Sequence, residues 1–164
     1  MSEVATQINR GIPPLGDLLA STQQIVDTEL RPLTVDIDLE GVYPESVLKS
    51  LGREGAFMQH LPAVRGDGKT DLAAAIQTMA TVSHECMSTG FAVWCQDTCG
   101  WYLQNAANPT VRDNWLGKVG SGEVLAGTGM SNTMKAFAGI EPLRLKGKRV
   151  DAVSYTHLRA HETT

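Results

Sequence analysis

The sequence predicts a mainly α-helical domain followed by the first strands of a β domain. Apolar residues recur at three-and-four spacing over residues 15–30, which is the pattern of an amphipathic helix. A second apolar region, residues 70–107, is too long for one ordinary helix and indicates two packed helices. The character of the sequence changes at residues 121–132, where a short apolar run meets closely spaced glycines.

Length and composition restrict the class of protein. The 164 residues are enough for one domain with a substantial core. A net charge of −4 and the lack of a basic stripe argue against nucleic acid as a partner, and no apolar run approaches the ~20 residues of a membrane span. Three cysteines, an odd count, and a polar start without a signal pattern predict a cytoplasmic protein with reduced thiols.

The N-terminal third predicts a leader and two helices. Residues 1–14 are expected to be a flexible leader, and the first helix is expected to end at Arg31-Pro32. Residues 33–42 alternate apolar and acidic side chains, which is compatible with a short strand or an extended link. Pro44 begins the second helix, which Gly52 and Gly55 close and whose inner face is Val47, Leu48 and Leu51. Residues 62–69 are predicted to be a surface loop.

The central region predicts two buried helices with a break between them. Thr70 is the expected cap of the first helix, and Ser88-Thr89-Gly90 is the expected break. The predicted inner stripe of the first helix is Leu72, Ile76, Met79, Ser83, Cys86 and Met87. That of the second is Phe91, Trp94, Cys95, Thr98, Trp101 or Tyr102, and Asn105. A third helix, residues 110–119, follows Asn108-Pro109 and is expected to point Trp115 and Leu116 inward.

The stretch with the most functional information is residues 121–132. Val124-Leu125-Ala126 predicts the start of a buried strand. The glycines and polar residues that follow expose backbone and hydroxyl groups to something flat or polar, although a plain strand and glycine turn is the alternative. No lysine follows, so the stretch is not a phosphate-binding loop. A later strand is predicted around Leu143 and Leu145, with Gly147 as a turn.

No catalytic or metal-binding set emerges from the residue spacing. Cys86 lies too far from Cys95 and Cys99 for a compact soft-metal site, so free buried thiols are the simpler interpretation. His84-Glu85 lacks the second histidine of a zinc-protease helix and is interpreted as a helix contact.

The order of two packed apolar helices, a short helix, Ser121-Gly122-Glu123, an apolar strand and Thr128 resembles the acyl-CoA dehydrogenase family of flavoproteins. The residues from Tyr43 to Phe57 resemble that family's second helix, which favours an extended link before it. The resemblance implies FAD as the cofactor, with the Thr128 hydroxyl facing the flavin ring. The implied cofactor-binding residues are Leu125, Ala126, Gly127, Thr128, Gly129, Met130, Ser131 and Asn132.

The resemblance also implies a reaction, the α,β-dehydrogenation of an acyl thioester by the intact parent protein. Ala92, Gln96 and Cys99 would then face the slot for the acyl chain. The aromatic residues Trp94, Trp101, Tyr102 and Trp115 are either core or a wall of that slot. The family's catalytic glutamate lies in a C-terminal helical domain, so no residue here is assigned as catalytic. The parent is expected to be a homo-oligomer, its electron acceptor is unknown, and this chain alone is expected to be inactive.

One departure from the family pattern leaves the chemistry open. The family usually continues from the flavin-facing threonine with Glu-Pro and a Gly-Ser-Asp turn, whereas Thr128 is followed by Gly129-Met130-Ser131-Asn132. A standard fatty acyl-CoA substrate is therefore in doubt. A flavin-dependent monooxygenase of the same fold and a non-enzymatic helical interaction module remain alternatives.

The C-terminal residues resemble a translated sequencing adapter from Val153 to Thr163. On that interpretation residues 152–164 are an artefactual tail and the natural protein continues past Asp151, whereas the alternative is a natural His-rich tail. The predicted organisation is therefore a leader (1–14), a helical N-terminal domain (15–121), the start of a truncated β domain (122–151) and the tail (152–164).

Overall fold

The structure, a computed structural model, describes the backbone of residues 12–144, 146–150 and 153–157 and the side chains of residues 12–144. The chain divides into two compact units, with the boundary between Gly127 and Thr128. Most of the predicted leader lies outside the described residues, and residues 12–14 have no regular secondary structure. Within the described part, no helix is long and apolar enough to cross a membrane.

The first unit is built from helices, which confirms the mainly α fold class. In chain order its elements are α1 (Leu15–Ile25), a π-helical segment (Val26–Leu30), a 3-10 turn (Arg31–Leu33), α2 (Thr34–Glu40), α3 (Glu45–Arg53), a second 3-10 turn (Ala56–Met58), α4 (Pro62–Arg65), α5 (Leu72–Glu85), α6 (Met87–Gln104) and α7 (Pro109–Gly120). The predicted surface loop at residues 62–69 thus begins with one helical turn, α4.

The predicted end of the first helix at Arg31-Pro32 is wrong, because the chain stays helical across the proline. Pro32 cannot donate a backbone hydrogen bond, and the hydrogen-bond pattern changes around it. Arg31 N–H donates to the Val26 carbonyl with π spacing, and Thr34 N–H donates to the Arg31 carbonyl with 3-10 spacing. These two changes accommodate the proline and lead directly into α2.

The predicted strand or extended link at residues 33–42 is therefore wrong, because Thr34–Glu40 form the helix α2. Helical spacing places Val35 and Leu39 on one exposed face and Ile37 on the opposite, buried face. The apolar–acidic alternation thus reflects two faces of a short helix rather than two faces of a sheet. Gly41, with φ of +68°, ends α2 in the left-handed region that glycine adopts without strain.

The core surrounds α3, whose predicted inner face is confirmed. Val47, Leu48 and Leu51 are buried almost completely, because they recur at three-and-four spacing on one side of the helix. The cluster of buried side chains that packs around them comprises Ile25, Val26, Leu30, Ile37, Ala56, Phe57, Val82 and Val93.

The predicted inner stripe of α5 is wrong in part, because Met79 and Cys86 pack against the core but Leu72, Ile76 and Met87 do not. Leu72 and Ile76 are each 56% exposed, whereas the buried residues of α5 are Ala74, Ala75, Thr78 and Val82. Small residues on the inner face let α5 lie close to α1 and α6, its principal neighbours. The N-terminal cap is Asp71 rather than Thr70, because the Asp71 carboxylate accepts the Ala74 N–H at 2.9 Å.

The break between the central helices lies at Cys86, not at Ser88-Thr89-Gly90. Cys86 has an extended backbone, with φ −145° and ψ 108°, and α6 begins at the next residue. The buried face of α6 comprises Thr89, Gly90, Val93, Gln96 and Gly100. The predicted stripe of large side chains is instead exposed at Phe91, Trp101 and Tyr102.

The aromatic residues do not form a common core. Trp115 on α7 is 47% exposed, contrary to its predicted inward position, whereas its neighbour Leu116 is buried as predicted. Trp94 is half-buried and stacks on Phe91, with ring centroids 5.3 Å apart. The core is mainly aliphatic because the small and aliphatic residues of the central helices face inward.

The described residues of the second unit form one helix, α8 (Met130–Phe137), and an antiparallel pair of strands, β1 (Lys146–Val150) and β2 (Val153–His157). Their register runs from Lys146 opposite His157 to Val150 opposite Val153. The predicted late strand therefore starts after Leu143, and Gly147 lies within it rather than at a turn, while Leu145 lies outside the described residues. β2 uses residues assigned to the tail, and the origin of that tail stays a prediction.

The predicted strand at Val124-Leu125-Ala126 is wrong as regular secondary structure. Within the described residues they have no strand partner, and the side chain of Gln96 bonds to the Val124 carbonyl and the Ala126 N–H instead. The strands that the structure does contain lie later in the chain, at β1 and β2.

Candidate functional site

An open pocket of about 570 Å³ lies on the first unit, where the α2–α3 connection, α6 and the segment after α7 meet. Its size is within the range of small-molecule sites, roughly 300–1,000 Å³. The residues that line it are Ile37, Gly41, Val42, Tyr43, Pro44, Ser88, Phe91, Ala92, Cys95, Leu125, Ala126 and Gly127. None of these side chains is a carboxylate or a cation at neutral pH, so the pocket favours flat or apolar groups.

The first wall is the connection between α2 and α3. Gly41 turns the chain out of α2, and Pro44 precedes α3, so the residues between them are presented at the surface. Most of the Tyr43 surface is exposed, but part of the side chain is covered by protein. This partial burial, together with the nearby Glu45 carboxylate, raises the pKa of its phenol. Tyr43 therefore stays neutral at physiological pH and can donate a hydrogen bond.

The second wall is one face of α6. Ser88, Phe91, Ala92 and Cys95 follow one another at helical three-and-four spacing, which places them on the same side. Burial raises the pKa of the Cys95 thiol, so the thiol is neutral and is a poor nucleophile at physiological pH. This wall thus contributes apolar surface and one hydroxyl.

The third wall, called here the backbone wall, is residues 125–127. Leu125 and Ala126 are half-buried and Gly127 is exposed. A Cβ added to Gly127 would meet no atom within 4 Å, so a ligand can approach the main chain here. The backbone wall offers peptide groups to the pocket where the other two walls offer side chains.

The turn before the backbone wall is held by hydrogen bonds to the end of α7. Gly122 adopts φ of +71°, and the buried Ser121 donates its hydroxyl to the Lys118 carbonyl at 3.2 Å. Val124 N–H also donates to the Lys118 carbonyl, at 3.1 Å. These contacts fix the point at which the chain leaves α7 for the pocket.

The predicted cofactor residues fall in two parts of the structure. Leu125, Ala126 and Gly127 line the pocket. The others belong to the second unit, where Thr128 and Gly129 precede α8 and Met130, Ser131 and Asn132 form its first turn. Asn132 accepts the Arg144 N–H at 2.8 Å and donates to Glu141 at 3.0 Å, so its amide holds the loop after α8. Flavin contacts by residues 128–132 stay a prediction.

The predicted substrate residues also separate. Ala92 lines the pocket, whereas Gln96 and Cys99 do not belong to its lining among the described residues. Gln96 is buried and its amide bonds to the backbone, so it has no polar group turned to a ligand. Burial raises the pKa of the Cys99 thiol. A substrate contact by Gln96 or Cys99 stays a prediction without support from the pocket.

Sequence reasoning missed Tyr43, Phe91 and Cys95 as pocket residues. The signal for Phe91 and Cys95 was present, because they flank Ala92 at helical spacing on α6. Tyr43 carried no signal of its own, since its position depends on the helical path of residues 34–40 that the sequence pattern concealed.

Sequence reasoning also missed a buried pair away from the pocket, His60 and Asp97. The His60 Nε2–H donates to the Asp97 carbonyl at 2.8 Å, and the His60 Nδ1 lies 3.9 Å from Asp97 Oδ1. Within the described residues neither Nδ1 nor Oδ1 has a hydrogen-bond partner. Burial raises the pKa of the Asp97 carboxyl well above its usual range and lowers the pKa of His60.

Metal-ligating side chains are not grouped in the part of the chain that the structure describes. Cys86, Cys95 and Cys99 are free thiols and are half-buried rather than fully buried.

Comparison with known protein families identifies the family to which this chain belongs. The family model of the acyl-CoA dehydrogenase N-terminal domain matches residues 16–123, well over half of the chain. The chain belongs to the acyl-CoA dehydrogenase family. No curated protein and no solved structure matches the chain. The acyl-CoA dehydrogenase match ends just before the backbone wall, so it covers the first two walls of the pocket and the Ser121-Gly122-Glu123 turn.

Proposed function

We propose that this chain forms the N-terminal helical part of an FAD-dependent oxidoreductase that acts on an acyl thioester. The observation that supports it is the open pocket, which is lined by residues 125–127 and by an apolar face of α6 within a domain of the acyl-CoA dehydrogenase family. Bound FAD would supply the hydride acceptor, which amino-acid side chains cannot provide. The chain's own residues would bind and orient the cofactor and the substrate.

The pocket residues fit a flat aromatic ring better than a charged group. Ala92 and Phe91 offer apolar surface, and the backbone wall offers peptide N–H groups to the polar edge of a ring. A neutral Tyr43 adds a hydrogen-bond donor at the first wall. Since no lysine or arginine lines the pocket, the pyrophosphate of FAD gains no ion pair there, and binding by this chain should depend on the ring.

The lining of the pocket also limits which part of the reaction on the substrate this chain can perform. Removal of a proton next to a thioester carbonyl requires a base, and no carboxylate lines the pocket. The base is therefore expected from a part of the parent protein other than these walls. The apolar face of α6 would hold the acyl group and exclude water from it.

Two alternatives remain. A flavin-dependent monooxygenase is favoured by α8, which runs through Thr133-Met134-Lys135, where the family pattern implies a Gly-Ser-Asp turn. A helical interaction module is favoured by the exposed aromatic side chains Phe91, Trp101 and Trp115. The monooxygenase would bind flavin without affinity for a thioester, and the interaction module would bind neither.

The test is titration of the full chain with FAD or riboflavin, with and without ADP as a competitor. Flavin fluorescence measures the binding. We expect FAD and riboflavin to bind with similar affinity and ADP to leave their binding unchanged, because the pocket contacts a ring and not phosphates. No binding of either flavin would contradict the proposal. Competition by ADP would show that the flavin site is not this pocket.

A further inference from the structure

Gln96 is a buried glutamine whose amide connects three parts of the first unit. Its side chain is 2% exposed, although it lies in the middle of α6. The Nε2 group donates to the Val119 carbonyl at 2.8 Å and to the Val124 carbonyl at 2.9 Å. The Oε1 atom accepts the Ala126 N–H at 2.7 Å. Both amide protons and one oxygen lone pair are therefore bonded to backbone.

The amide of Gln96 occupies the place of a neighbouring β-strand. In an extended chain the carbonyl of residue i and the N–H of residue i+2 point to the same edge, as they do in a sheet ladder. The Val124 carbonyl and the Ala126 N–H are such a pair, and one side-chain amide satisfies both. The next peptide groups along the chain then point to the opposite edge.

This arrangement leaves the backbone wall open toward the pocket. Within residues 12–144 no hydrogen bond engages the N–H of Leu125 or Gly127, although both residues line the pocket. The Val119 bond ties the same amide to the C-terminal turn of α7, so the wall is fixed to two helices at once.

We propose that Gln96 is a positioning residue for the ligand site: it holds residues 124–126 extended so that the peptide groups of Leu125 and Gly127 face the pocket. It acts through the backbone wall and does not touch the ligand. The structural part of this proposal stands on the hydrogen bonds, and its consequence for flavin rests on the function proposed above.

The test compares Gln96→Met with Gln59→Met in the full chain. Methionine keeps the approximate length and removes every hydrogen bond. Gln59 is also 2% exposed and also bonded to backbone, at the Gly55 carbonyl, but it is not part of the pocket, so it controls for the loss of a buried amide. Two quantities are measured: hydrogen exchange of individual backbone amides, and the Kd of FAD.

In the wild-type chain we expect the Ala126 amide to be protected, because Gln96 is its acceptor. In Gln96→Met we expect Ala126 exchange to accelerate about tenfold or more relative to the amides of Val93 and Leu48 in the same sample, since the backbone groups lose their partner. The Kd of FAD should rise by a similar factor. Gln59→Met should change neither the exchange rate of Ala126 relative to Val93 and Leu48 nor the Kd of FAD, even if it lowers overall stability.

The outcomes separate this proposal from the proposed function. An unprotected Ala126 amide in the wild-type chain, or equal acceleration in both variants, overturns the positioning role, and the wild-type measurement decides this even if Gln96→Met does not fold. Selective acceleration at Ala126 without any FAD binding by the wild-type chain supports the positioning role and contradicts the flavin site. Selective acceleration with an unchanged Kd overturns the role in ligand binding.

Discussion

Gly52 and Gly122 lie backbone against backbone in the first unit. A Cβ added to Gly52 would lie 2.6 Å from Gly122 Cα, and a Cβ added to Gly122 would lie 2.8 Å from Gly52 Cα. The contact packs α3 directly against the turn that carries Ser121 and Glu123. Since that turn leads into the backbone wall, the two glycines set the distance between the core helix and the pocket.

Substitution of either glycine should destabilise the protein. Gly52→Ala places a methyl group against main chain that cannot rotate away, and we expect a loss of about 1–3 kcal/mol in the free energy of unfolding. Gly122→Ala should cost more, because its φ of +71° adds about 1–2 kcal/mol of backbone strain to the same overlap. Urea unfolding measures both.

The matched control is Gly16→Ala in α1, where an added Cβ would meet no atom within 4 Å. This variant should be neutral or slightly more stable, because alanine favours a helix over glycine. If Gly52→Ala were as stable as Gly16→Ala, the close approach of α3 to the turn would be contradicted.

Gly90 is predicted to be a second position that tolerates no side chain. An added Cβ would overlap the Ser83 hydroxyl and lie 2.9 Å from Ser83 Cα. Gly90→Ala should therefore lower the free energy of unfolding by about 1–3 kcal/mol, despite the better helix propensity of alanine. Because Ser83 Cα remains in every variant, adding Ser83→Ala should not restore stability. Ser88→Ala, at an exposed position of the same helix, is the control.

Gly90 also shows what the sequence could and could not predict. The glycine was interpreted as a helix break, because local propensity is all that a single sequence provides. The structure places the break at Cys86 and uses Gly90 for a close helix contact, which depends on Ser83 of the other helix. In contrast, the inner face of α3 was predicted correctly, since three-and-four spacing depends only on neighbours in the same helix.

The backbone wall gives the same lesson for the candidate site. Val124-Leu125-Ala126 was predicted to be a strand, and its hydrogen-bonding edge is indeed satisfied as in a sheet, but by the side chain of Gln96. A partner thirty residues away in sequence from Ala126 leaves no local pattern. Ala92 lines the pocket, a position that only the family resemblance suggested, and its contact with a substrate stays a prediction.

The buried pair of His60 and Asp97 predicts a dependence of stability on pH. The pKa of Asp97 is raised by burial, so the folded state binds a proton that the unfolded state releases above its ordinary pKa of 3.8. This contribution to stability is present at low pH and is lost as the pH rises from 3.8 through the folded pKa. The pKa of His60 is lowered from 6.5 by burial, so its contribution is lost in the opposite direction, as the pH falls below 6.5.

Asp97→Asn isolates the carboxyl contribution, because asparagine keeps the shape and cannot ionise. We expect the stability of Asp97→Asn relative to wild type to increase as the pH rises from 3.8 through the folded pKa of Asp97. Urea midpoints at intervals across this range measure it, and Asp113→Asn, at an exposed aspartate, controls for the loss of one carboxyl group. A constant difference between Asp97→Asn and wild type would show that Asp97 does not take up a proton on folding.

The pocket itself should be blocked by a larger side chain at Ala92. Leucine at this position projects from the face of α6 that also carries Ser88 and Cys95, and it would fill space that the flavin ring is proposed to occupy. Because this side of Ala92 is open, we expect a Kd for riboflavin at least about tenfold higher with little change in the free energy of unfolding. Ala73→Leu, at an exposed position of α5 outside the pocket, should leave the Kd unchanged. Equal affinities for wild type and Ala92→Leu would place any flavin elsewhere on the molecule, whereas loss of binding in both variants would indicate a general effect on folding, which the unfolding curves would reveal.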